Sequence, residues 1–84
     1  MMLTYEEAKA SLFDSLEEEL RILKVWETED AFIFSACDMD EKDPCFGSLF
    51  YEVFKGINDF DPPVDIHLPA DFEFARIEHA RRIV

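Results

Sequence analysis

Glycine is nearly absent from this chain, which has only Gly47 and Gly56 among 84 residues. Two isolated glycines cannot build the glycine-rich loops that cradle phosphates, so that route to nucleotide binding is excluded. Cysteine is equally scarce: Cys37 and Cys45 stand alone, where small secreted domains carry a framework of four or more. Reduced, part-buried thiols of a cytoplasmic protein are the expected reading. The longest apolar run, Ala31 to Ala36 with Ser35 inside it, is too short to cross a bilayer. Met1 to Glu7 contain neither the basic nor the apolar region of a signal peptide, so none is expected.

Positive charge is the last thing in short supply. Eight Lys and Arg stand against 20 Asp and Glu, for a net charge of −12. Such a surface repels phosphate backbones and anionic lipids, so neither nucleic acid nor a membrane is expected as a partner. It attracts cationic surfaces, and a basic protein is the partner it suits. The plainer alternative is that acidity only keeps a small domain soluble.

What the chain does have is a dense apolar complement, 49% hydrophobic and 14% aromatic with nine Phe. An acidic disordered segment would lack those aromatics, so residues 1–84 are expected to fold as one domain. Thr4-Tyr5-Glu6-Glu7 fits a capping box, and Tyr5, Ala8, Leu12, Leu16 and Leu20 recur at helical spacing. A helix over 4–20 follows. Arg21 to Glu27 and Ala31 to Cys37, joined by Thr28-Glu29-Asp30, read as an antiparallel hairpin, the first arm only loosely alternating. Phe32 and Phe34 share one face of it, and Ile33, Ser35 and Cys37 the other. A polar loop over 38–47 leads to a third strand over 48–55, and Asp65 to Leu68 are a candidate edge strand. After Pro69, the spacing of Phe72, Ala75, His79, Ala80 and Ile83 predicts a second helix over 70–83. The expected fold is α+β: an N-terminal helix, a three- to four-stranded antiparallel sheet and a C-terminal helix, both helices packed on one sheet face.

No arrangement demands catalysis. Ser11, Ser15, Ser35 and Ser48 lie outside any nucleophile elbow, and nothing singles out a carboxylate pair, so no enzyme is expected. The run from Asp38 to Asp43 begins like a calcium loop, but Lys42 and Asp43 occupy positions that need an oxygen ligand and glycine. Cys37, Cys45, His67 and His79 show none of the close pairing of structural zinc sites. No metal or other cofactor is expected.

The candidate binding residues are therefore surface ones. Asp38, Asp40, Glu41 and Asp43 in the first loop flank Phe46, and Asp59, Asp61 and Asp65 in the second flank Phe60. Acids rimming an aromatic anchor are what a loop-borne protein-binding surface looks like.

The helix start Thr4-Tyr5-Glu6-Glu7-Ala8, the strand Ala31-Phe32-Ile33-Phe34 and the strand Phe50-Tyr51-Glu52-Val53-Phe54-Lys55 together resemble small immunity proteins of bacterial polymorphic-toxin systems, the YrhB-like group. Val53-Phe54-Lys55 matches that group's Val-x-Lys pair, whereas Gly56-Ile57-Asn58 departs from its Thr-Gly turn. The resemblance implies a cytoplasmic, non-catalytic toxin-binding protein and assigns no individual contacts. The alternative is an accessory domain that homodimerises through an unpaired strand edge, with acidity serving solubility alone.

Overall fold

A computed structural model describes residues 3–43, 47–56, 64–72, 74–78 and 80–84. The elements run α1 (Tyr5–Leu16), β1 (Leu20–Glu27), β2 (Ala31–Asp38), β3 (Leu49–Phe54), β4 (Val64–His67), α2 (Ala75–Glu78) and β5 (Arg81–Arg82). The strands form one antiparallel sheet in the order β4-β3-β2-β1-β5. The class is α+β, as the pattern of periods implies. No described helix is long and apolar enough to cross a membrane.

The capping box is formed: Thr4 Oγ1 accepts from the Glu7 backbone N–H, and Glu7 Oε1 accepts from the Thr4 N–H at 3.0 Å. Helix α1 is shorter than its apolar stripe suggests. Ala8 and Leu12 are buried against the sheet, with Tyr5 and Leu16 packed beside them, but Leu20 enters the same core from β1. A residue at a helical interval is thus used by a strand instead.

The loose alternation of the first hairpin arm has a cause. A bulge between Ile22 and Lys24 inserts one residue into β1, so Leu20 and Ile22 point to the α1 core and so does Val25, out of step. Strand β2 is buried on both faces. Phe32, Phe34 and Ala36 meet α1, while Ile33 meets Phe50 and Phe72 on the far side.

That far side corrects two expectations. The helix over 70–83 is a single turn, Ala75–Glu78, and the chain then returns to extended backbone and pairs Arg81–Arg82 with Glu27 and Trp26. The open edge of β1 wins over local helical spacing: the Ile83 N–H donates to Val25 O at 2.9 Å. The C-terminal segment also lies on the face opposite α1, where Phe72 stacks on Phe50 at 4.2 Å and 7° and Ile77 packs beside it. The sheet is therefore covered on both faces, and among the described residues it has five strands.

Candidate functional site

The register Leu20↔Asp38 decides which acids meet. It sets Glu17, Glu18 and Glu19, which lead into β1, beside Asp38, Asp40, Glu41 and Asp43, which follow β2. All but the half-buried Glu41 are exposed, and Met39 among them is 60% exposed. The phenol of Tyr51 registers this field. Burial pushes its pKa up, and the charges of Asp38 and Glu18 push it further.

The first part of the loop after β2, over 38–43, is tied by hydrogen bonds. The Glu41 N–H donates to Asp38 O at 3.1 Å, the Asp43 N–H to Glu41 Oε1 at 3.1 Å and Arg21 Nη2 to Glu41 O at 3.3 Å. Glu41's carboxylate also fills the space a Cβ at Gly47 would need, so glycine there permits a close approach.

The acids leading into β1 sit where helix physics disfavours them. Helix α1 has no basic residue in its last turn, and its C-terminal carbonyls carry partial negative charge, against which Glu17, Glu18 and Glu19 repel. Glu17 itself adopts the left-handed conformation, φ 57° and ψ 30°, that normally selects glycine at a helix end. Glu17→Gly should therefore raise stability by about 0.5–1 kcal/mol, read as a higher urea midpoint at unchanged slope; a lower midpoint would show that Glu17 has a stabilising role.

Of the other sequence candidates, Asp65 lies on β4 opposite Glu52, away from the acidic end. Phe46, Asp59, Phe60 and Asp61 fall outside the described residues, as do Cys45 and His79. Cys37 is free and buried.

A second constellation, not singled out by sequence reasoning, occupies the sheet face opposite α1. Glu52, 6% exposed, sits in the middle of β3. Arg76 of α2 hydrogen-bonds its Oε2, and Arg76 Nη2 also lies 3.5 Å from Asp30 Oδ1. The Glu52 hydrogen bond raises the Arg76 pKa. The Thr28 hydroxyl, then Arg76, holds Asp30 below the ordinary carboxylate range. His67 Nε2 approaches Glu52 Oε1 to 3.5 Å. Glu52, His67, Asp71, Phe72 and Arg76 line a cavity of about 390 Å³. The sequence signal was Phe50-x-Glu52-x-Phe54, a carboxylate in an otherwise aromatic face.

Comparison with protein families, curated proteins and solved structures gives no match. The acidic end is open and charged and exposes Met39, which suits contact with a cationic surface. The Glu52 cluster is recessed and suits a small ligand or ion.

Proposed function

We propose that this is a non-enzymatic protein-binding domain whose acidic sheet end receives a basic protein, in the manner of an inhibitor or immunity protein acting in the cytoplasm on a cationic toxin. One observation carries the reading: Glu17, Glu18 and Glu19 are held at the negative end of α1, beside Asp38 and Asp40, where they oppose the helix dipole. Residues that break a local rule without local compensation mark functional positions more often than structural ones. Met39, exposed among them, supplies an adaptable apolar contact. A field summed over these carboxylates accelerates encounter with a positive partner and is weakened by salt.

The test begins by isolating the basic partner by cross-linking from the source cells. Association rates are then measured across a salt series for the wild type, for Glu17→Gln/Glu18→Gln/Glu19→Gln, for Asp38→Asn/Asp40→Asn, and for Glu29→Gln at the other end of the sheet. Either acidic-end variant should associate about tenfold more slowly at low salt, with a flatter salt dependence, while keeping its fold. Glu29→Gln should behave as wild type. Equal rates and slopes throughout would leave solubility as the only role of the acidity.

A second reading has one observation in its favour. Ile66 is 52% and Leu68 57% exposed on and beside β4, whose outer edge pairs with no described strand. A homodimer through that edge would persist at high salt and dissociate in Ile66→Lys, which sedimentation would show.

A further inference from the structure

We propose that Glu52, Asp65 and His67 form a binding site for a single divalent transition-metal ion of the zinc class. The strand register assembles it. Glu52 of β3 pairs with Asp65 of β4, and His67, two residues further along β4, pairs with Phe50. All three side chains therefore rise from one face of a two-strand ribbon. One ligand atom from each lies within 4.8 Å of the others.

Two features separate this group from an ordinary surface ion pair. His67 Nε2 is a buried nitrogen with no hydrogen-bond partner among the described residues, although Glu52 Oε1 is 3.5 Å away. A buried imidazole nitrogen is normally satisfied, and a metal ion would satisfy it. The Asp65 carboxylate likewise has no hydrogen bond or ion pair among the described residues. Glu52 Oε2 is committed to Arg76, which orients the carboxylate and leaves Oε1 free on the His67 side.

The spacing suits zinc. Ligand arms of about 2.1 Å in tetrahedral geometry place donor atoms roughly 3.4 Å apart, against the 3.5 Å between His67 Nε2 and Glu52 Oε1. A turn of the exposed Asp65 side chain brings in the third ligand. Imidazole beside two carboxylates selects a borderline cation over magnesium or calcium, which prefer oxygen alone. Three protein ligands leave a fourth position for water, and Glu52 and His67 also border the cavity of about 390 Å³.

The experiment titrates the full chain with zinc chloride by calorimetry, and with cobalt(II) as a spectroscopic probe. Wild type, His67→Gln, Asp65→Asn and Glu29→Gln are compared, each first checked for fold by circular dichroism. Wild type and Glu29→Gln should saturate at one ion per chain, with the intense visible bands of four-coordinate cobalt. His67→Gln and Asp65→Asn should each weaken binding about tenfold or more, since even outer partners of a metal ligand change affinity by that much. Excess magnesium should not displace the ion. Absence of a saturating site, equal affinity in all four proteins, or displacement by magnesium would overturn the proposal, the last two identifying adsorption to the acidic surface.

Discussion

Arg76→Met should lower the unfolding free energy by about 2–4 kcal/mol, because it strands the Glu52 carboxylate in the aromatic face of the sheet. Glu52's side chain is only 7% exposed, whereas Arg76's is 35% exposed. The loss thus falls somewhat short of that for a fully buried pair, since water reaches the guanidinium side. Phe50 and Phe72 stack on this face, and Phe72 also tilts against His67 at 5.6 Å, so the carboxylate left behind keeps a largely apolar surround. Replacing both partners, Arg76→Met with Glu52→Leu, removes the stranded charge and should recover most of the loss. Urea unfolding of the two single variants and the double variant gives the coupling energy directly. Additive losses, with no recovery in the double variant, would show that Arg76 acts through packing of its stem and not through its charge.

Much of this fold was legible because it rests on short-range patterns. The capping box marks the start of α1, and the alternation of Phe32 and Phe34 against Ile33 assigns both faces of β2. What was illegible depended on contacts distant in sequence. Leu20 looked like the end of a helical stripe because helix and sheet bury it in the same core. The C-terminal residues looked helical because spacing carries no information about the open β1 edge that their backbone satisfies. The candidate sites divide the same way. The acids after β2 were readable as a local run, but their meeting with Glu17, Glu18 and Glu19 required the hairpin register. Glu52, Asp65, His67 and Arg76 come from three elements; Glu52 stands out within its aromatic strand, but its meeting with the other three depends on the sheet register and the path of the C-terminal segment.

Lys55→Met should cost about 1.5–3 kcal/mol, from a lost charge-assisted hydrogen bond and an abandoned carbonyl. Lys55 is 8% exposed. Its Nζ donates to Glu27 Oε2 at 2.9 Å and to Thr28 O at 2.8 Å, and lies 4.9 Å from the centre of the Phe32 ring. Its backbone N–H donates to Asp30 O and its carbonyl accepts from Leu3, both bonds that methionine keeps. Methionine also keeps most of the apolar stem, so the substitution isolates the ammonium group. The same substitution should change the response to acid. The hydrogen bond from Lys55 holds the Glu27 carboxyl below its ordinary range, opposed by partial burial. A carboxyl depressed in the folded state contributes stability that is present above its unfolded pKa and is lost as pH falls through the folded one. In Lys55→Met the chief cause of that depression is gone. Its unfolding free energy should therefore decline less between neutral pH and the acid side of the carboxylate range than that of wild type, and the two curves should converge at low pH. Denaturant unfolding at a series of pH values measures both curves. A constant gap at every pH would show that the Lys55–Glu27 pair adds nothing and that the cost of the substitution comes from the Thr28 carbonyl and the Phe32 ring.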